Sequence, residues 1–489
     1  MNRQTWLSLS LAACLGAPAV HAQVSLIADG TISGTYQDLS ARTAAPLENG
    51  VAGNRLGGLG SGLAYAGGTT FIAVPDRGPN ANAYNSAIND TVSYINRFQT
   101  LDLRLAPSDP GSAVPFALTP MLEATTLLYN RTPLNYGSGA GLGVGDGAPA
   151  LNDRHHYYFT GRSDNFDPSQ PSSDPFNARL DPESVRVSDD GRHVFISDEY
   201  GPYLYEFDRA TGERVRVFKL PANLAVANPS PDKSVEIDDN SAGRLANKGM
   251  EGLAITPNGR MLVGALQSPL IQDGGKKAGY TRLVTIDIRT GATHEYAYPL
   301  TNIGSDSKPK YGTISDLVAV NDHEFLVDER DGHGFGDGTI ATEKKVFRID
   351  LAGARDVSKI IGAANLAPLA VNKTLFADLV SIFNDNGIEG WNIPSKIEGL
   401  AFGPDVQVDG VTKHTLYVAT DNDFLGEITD DYHPQPTSNP NHFYVFAFDA
   451  SDLPGFVPQR IRPFPLKACR DRRDRHAHWE RLEDYFGQR

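Results

Sequence analysis

Short runs of alternating apolar and polar residues, broken by Gly, Pro, Asn and Asp, recur along most of this chain. That alternation marks half-buried β-strands, and the breakers are turn formers. Five segments repeat one plan. A small or acidic residue leads a short apolar strand, a turn follows, and most of the second apolar strands run into acid. The pairs fall at 60–65 and 70–74, 182–187 and 193–197, 250–255 and 261–265, 314–320 and 324–327, and 397–402 and 415–419. Third strands are predicted at 203–208, 282–287, 345–350 and 443–449, each ending at an aspartate. Units of three or four strands recurring every 65–80 residues predict an all-β protein, a single β-propeller. Residues 100–175 hold apolar fragments that read as a divergent blade, so six blades are expected, with five or seven as alternatives. Two stretches read as loops: 137–147, with Gly at every second position, and 164–181, rich in Asp, Ser and Pro. The propeller is expected over 45–455, followed by a charged, disordered tail over 461–489.

The repeat places acids at comparable points. Glu183, Glu251, Asp316 and Glu398 open their strands and are separated by 68, 65 and 82 residues. In a propeller the first strand of each blade lines the central channel, so these carboxylates are expected to converge. Like charges crowded together must share protons, meet bases or hold a cation. Hard oxygen donors suit Ca²⁺, or Mg²⁺ with waters. Asp76 and Asp198, after second strands, extend the expected metal set. Arg77, Lys248, Arg330 and Lys396 stand beside these acids and would bind an anionic ester. Glu183, Glu251 and Glu398 are then the expected catalytic carboxylates. His333, in a glycine-rich stretch after Arg330, is a candidate acid/base. Plainer roles compete: an Asp after a strand is commonly a turn residue, the repeated Glu-Gly can bond neighbouring blades, and His333 can belong to an ordinary loop.

Charge and composition narrow the function classes. With 44 Lys+Arg against 59 Asp+Glu, the net charge is −15, and the last 29 residues are basic, so the body is more acidic still. That argues against nucleic acid and against charge-driven binding to anionic lipid. No apolar run is long enough for a transmembrane helix. Arg3, the apolar stretch 6–19 and Val20-His21-Ala22 read as a signal peptide over 1–22, predicting a periplasmic or secreted protein. Leu11-Ala12-Ala13-Cys14 offers a lipoprotein alternative. Cleavage after Ala22 would leave Cys469 alone, without an intrachain disulfide. A Gly-x-Ser-x-Gly elbow, a Walker sequence and Gly-x-Gly-x-x-Gly are all lacking. Cys469-x5-Arg475 has the spacing of a cysteine-phosphatase loop, but Asp471 and Asp474 would repel phosphate. His155-His156 and His476-x-His478 lack the rest of a zinc set.

Several motifs come in a set order: Pro75-Asp76-Arg77-Gly78, Asp181-Pro-Glu183-Ser-Val-Arg, Ser197-Asp-Glu-Tyr-Gly201, Asn247-Lys-Gly-Met-Glu-Gly-Leu253, Ser395-Lys-Ile-Glu-Gly-Leu400 and Asp421-Asn-Asp423. Together they resemble the family of exported bacterial proteins described as esterase-like activity of phytase. The resemblance spans roughly residues 56–448 and implies ester or phosphodiester hydrolysis, with recurrent Glu and Asp at the site. A metal-assisted hydrolase of small anionic phosphate esters is the leading expectation. A non-catalytic propeller binding a ligand or partner, and a lactonase-type esterase, are the alternatives. The sequence is silent on oligomeric state.

Overall fold

The computed structural model describes residues 23–137 and 142–464. The expected signal peptide and nearly all of the tail lie outside them. Among the described residues, five sheets of at least four strands are arranged as blades. Blade 1 comprises Gly62–Tyr65, Thr70–Val74, Arg97–Pro107 and Phe116–Leu127. Blade 2 comprises Pro182–Val187, His193–Asp198, Leu204–Asp208 and Arg214–Val217. Blade 3 comprises Met250–Ile255, Met261–Leu266, Tyr280–Asp287 and Thr293–Pro299. Blade 4 comprises Thr313–Ala319, Glu324–Arg330, Lys344–Asp350 and Lys373–Asp378. Blade 5 takes Ile397–Phe402, Val411–Thr420 and Asn441–Phe448 from the C-terminal part and Ser25–Ile32 from the N-terminal part.

The propeller expectation holds, with five blades in place of six. Residues 97–127 do not start a new blade. They form two long outer strands of blade 1, paired from Arg97↔Leu127 to Pro107↔Phe116. Among its described residues, the stretch that follows adds a two-residue pair, Tyr129–Asn130 with Tyr157–Tyr158, and isolated bridges. Closure is by the N-terminal strand, which pairs antiparallel with Asn441–Phe448 from Ser25↔Ala447 to Ile32↔Asn441. This join leaves the outer edge of blade 5 covered by residues distant in sequence.

The first strand of each blade touches its two neighbours, so the five form a ring around the axis. Their residues are nearly all buried because both faces meet another blade. The core is therefore a set of inter-blade layers. One joins Leu326, Val346 and Phe376 of blade 4 to Leu400, Leu416, Val418 and Phe446 of blade 5. Another joins Ile72, Val74 and Phe98 of blade 1 to Val185, Val194 and Ile196 of blade 2.

At the channel's centre lies a buried ion pair. Asp316 of blade 4 accepts from Arg186 Nη2 at 2.9 Å, Ser184 Oγ at 2.8 Å, Leu253 N at 3.3 Å and Leu400 N at 2.9 Å. Arg186 donates onward to the carbonyls of Leu63 at 2.7 Å and Leu317 at 2.7 Å. All five blades are tied through these two side chains. At the far mouth, residues 457–464 run across the channel. Val457 N bonds Val320 O, and Gln459 and Arg462 bond Val187 and Asp189.

Candidate functional site

The site is built where the first strands begin. Glu183, Glu251 and Glu398 each lie at a register shift between the first and second strands of their blades, flanked by Pro182/Ser184, Met250/Gly252 and Ile397/Gly399. A bulge of this kind re-aims a side chain out of the pleat. The residue that follows is small for a reason. A Cβ on Gly252 would meet the Asp316 backbone at 3.0 Å, and one on Gly399 would stand 2.9 Å from Gly60 O. The glycine of each Glu-Gly pair lets neighbouring inner strands close up, while the glutamate turns into the mouth.

Blade 4 departs from this pattern. Its shift runs from Ile314 to Leu317 and takes in two residues. Aligned on the leucine that follows, Ser315 and not Asp316 matches Glu251 and Glu398. Asp316 takes the place of Gly252 and Gly399, inside the channel on Arg186. Structure thus sets Asp316 apart from the three glutamates.

A second tier comes from the ends of the second strands. Asp76, Glu199, Gln267, Arg330 and Asp421 occupy matching places in blades 1 to 5 by register. Asp198, one residue earlier than Glu199, faces the other way. It accepts from the backbone N–H groups of Asp181 at 2.7 Å, Gly201 at 2.6 Å and Tyr203 at 3.2 Å, as a turn residue does.

Most cations in the mouth are already engaged. Arg77 Nη1 donates to Asp181 Oδ2 at 2.8 Å, and its backbone N–H to Asp181 Oδ1 at 3.0 Å. Arg330 bonds Glu398 through Nη2 and Ser315 Oγ through Nε at 2.7 Å. Lys396 bridges Asp421 at 2.6 Å and Asp423 at 2.5 Å. Lys248 donates to Gln267, whose amide donates to Glu251 Oε1 at 2.5 Å. His333 stands away from this group. Its Nδ1 bonds Thr339 at 2.8 Å and Asp337 at 3.1 Å, and its Nε2 lies 3.3 Å from Lys310 Nζ.

What remains is carboxylate-rich and buried. Ligand oxygens of Asp181, Glu183 and Glu199 all lie within 4.8 Å of one another, and the three residues are buried. Glu199 Oε1 and Glu251 Oε2 are buried without a hydrogen-bond partner. Burial, then the charges of Glu251 and Asp181, pushes the Glu183 carboxyl well above the ordinary range. Burial, then Glu199 and Glu398, does the same to Glu251. Burial and Asp181 raise Glu199, and burial and Asp421 raise Asp76. Such a group cannot hold all its charge unaided. Close-set carboxylate oxygens with unused lone pairs fit a hard divalent cation, and the two orphaned oxygens supply the test of that fit. Asp181 would then bridge Arg77 and the ion.

Sequence reading missed Asp181 and Gln267 as members of the site, and named Asp198 rather than its neighbour Glu199 as a metal ligand. Asp181 stood inside a motif noted for another reason. Gln267 was findable only from its register match to Glu199. The slip at Asp316 was legible too, from the shared leucine at 253, 317 and 400.

Comparison with known proteins bears on this geometry. A family model described as "Phytase-like: Esterase-like activity of phytase" matches residues 54–424. An "Uncharacterized secreted protein" of Arthroderma benhamiae is 29% identical over 323 residues, 58% of this chain and 60% of that protein, so the chain spans less than two thirds of this relative. Two solved structures are similar at low overlap. The periplasmic gluconolactonase of Pseudomonas aeruginosa is 11% identical over 86% of this chain and 98% of its own, with TM-score 0.33. A calcium-binding regucalcin from Agrobacterium tumefaciens is 10% identical over 90% and 99%, with TM-score 0.31. Neither likeness carries a functional argument.

Proposed function

This chain belongs to the phytase-like family described as esterase-like activity of phytase, and from that premise we propose that it is an exported, metal-assisted hydrolase of phosphate esters or phosphodiesters. One observation carries the reading: the buried trio Asp181, Glu183 and Glu199, within 4.8 Å of one another, beside an unpartnered Glu251 oxygen. Asp181, Glu183 and Glu199 would hold a divalent cation, with Ca²⁺ the best match to an all-carboxylate set. When bound, that ion polarises a phosphoryl oxygen and lowers the pKa of water.

The chain's own residues do the rest. With the carboxylates charged, Glu251 would accept one proton of the attacking water and return it to the ester oxygen as the bond from phosphorus to that oxygen breaks. Gln267 and Lys248 hold Glu251 in place on the opposite side from its free oxygen. Arg330, held by Glu398, Ser315 and the Asp331 carbonyl, would offer its remaining N–H groups to the phosphoryl oxygens. Arg77 orients Asp181 and flanks the same space. Asp76, Asp421 and Lys396 close the wall of the mouth. His333 would act only on a substrate long enough to reach its loop.

The test is turnover of phosphomonoesters, phosphodiesters, carboxyl esters and lactones by the purified protein, with and without Ca²⁺ and with chelator. Phosphoester turnover that chelator abolishes is expected. Glu251→Gln should lower kcat/KM by at least about 100-fold, the usual contribution of a general base, with an unchanged melting temperature. Full turnover in Glu251→Gln would overturn the assignment. Turnover of lactones alone would transfer the site to a lactonase, and no turnover of any ester would leave a binding propeller.

A further inference from the structure

Beside the acidic mouth, and sharing Arg77 with it, is a cavity of about 150 Å³ with the opposite polarity. Its walls include Arg77, Arg179, Lys233, Tyr200 and Asn247, with Glu236 as the one carboxylate among them. That volume is enough for a small polyatomic ion.

Arg179 is the centre of this cavity. Its side chain is only 1% exposed. The guanidinium carbon sits 4.4 Å from the Phe166 ring centre and 5.3 Å from that of Tyr200, which hold its plane. One nitrogen, Nη1, donates to Ser163 O at 3.2 Å. Nε and Nη2 are buried and have no hydrogen-bond partner, and neither has Arg77 Nε. A buried charged donor left unmade is expensive, so native structures seldom keep one without a ligand.

Nearby acceptors do not answer this need. Glu236 comes within 4.0 Å of Arg179 Nη2, but it is engaged by Arg244 and by the Ser230 backbone N–H at 3.1 Å. Asp181 is engaged by Arg77. Counting Arg77 with Asp181 and sharing Glu236 between Arg244 and the more distant Arg179 leaves three guanidinium groups and Lys233 against two carboxylates. Lys233 stands at the exposed rim. The burial it has, with the charges of Lys248, Lys276 and Arg77, depresses its pKa, and Glu199 offsets this only in part.

We propose that this cavity is a binding site for a tetrahedral oxyanion of charge near −2, a phosphate monoester group or free phosphate, held by Arg179, Arg77 and Lys233. Four cations against two carboxylates leave an excess of about two positive charges, which matches a dianion better than a carboxylate, and a phosphate supplies acceptor oxygens for the three unused guanidinium donors. The site goes beyond the proposed hydrolysis and would stand without it.

Isothermal titration of the full chain in excess chelator separates the two, since no metal-dependent chemistry contributes. Inorganic phosphate and glycerol 2-phosphate are the probes. Binding of at least one is expected, weakened about tenfold or more by Arg179→Gln and by Lys233→Gln, in line with the loss of a charge-assisted hydrogen bond. Tighter binding of the ester would assign the cavity to the substrate, and tighter binding of free phosphate to the product. Lys233 is on the surface, so its variant reports even if Arg179→Gln fails to fold. Absence of binding by the wild-type chain, or unchanged binding in Lys233→Gln and in a folded Arg179→Gln, would overturn the proposal.

Discussion

Replacing Asp316 by Asn probes what holds the wheel closed. Asp316 is fully buried, and its partner Arg186 is 6% exposed. Every group that approaches the carboxylate is a donor: the Arg186 guanidinium, the Ser184 hydroxyl, and the backbone N–H groups of Leu253 and Leu400. An asparagine of the same shape keeps one acceptor oxygen. Its amide nitrogen must face a donor in either flip, and the Arg186 charge loses its counter-ion. Removing one partner of a buried pair destabilises by about 3–5 kcal/mol, a large fraction of a typical stability of about 5–15 kcal/mol. Urea unfolding should therefore show a much lower midpoint for Asp316→Asn. A double-mutant cycle sharpens the test. Arg186→Met and Asp316→Leu should each destabilise strongly alone, whereas the double variant Arg186→Met with Asp316→Leu should cost less than those two singles together by about 2 kcal/mol or more. Metal affinity of whatever remains folded should be unaltered, because Asp316 belongs to the channel and not to the trio at the mouth. Additive single effects, or an Asp316→Asn protein of normal stability that has lost metal binding, would refute this account of the hub.

Two other perturbations address the joins between blades. Gly399→Ala puts a Cβ 2.9 Å from Gly60 O and 3.0 Å from Leu63 Cβ, between blades 5 and 1. A loss of about 1–3 kcal/mol is expected from such overpacking, and a wild-type urea midpoint would show that the inner strands yield. His442, on the strand that receives the N-terminal closure, stacks on Tyr444, and burial lowers its pKa to about 4. For a base with a depressed folded-state pKa, stability is fully present above pH ~6.5 and falls as pH drops toward 4, by up to ~3 kcal/mol. Comparing wild type with His442→Gln at pH 4.5 and 7.5 isolates that component. An equal gap between the two proteins at both pH values would count against it.

The fold class was written locally. Alternation at 203–208, 282–287 and 345–350, with turn residues between the units, made strands unavoidable, because a period of two follows from the pleat alone. Glutamates 183, 251 and 398 were also legible, since repetition exposes whatever each unit places at its mouth. Their glycines carried a packing message that became clear only when the neighbouring strand was seen within 3 Å.

Everything non-local had to wait for the tertiary structure. The blade count depended on whether residues 97–127 began a new sheet or extended the first, which pairing decides and pattern cannot. Closure depended on a strand at 25–32 finding one at 441–448, across the whole chain. A one-residue slip of register moved Asp316 from the mouth to the channel and put Ser315 in its stead. Asp181 and Glu199 joined Glu183 because a bulge and a strand end happen to aim at one point. Periodicity is a property of neighbours in sequence, whereas register, closure and the partners of a buried charge are properties of neighbours in space.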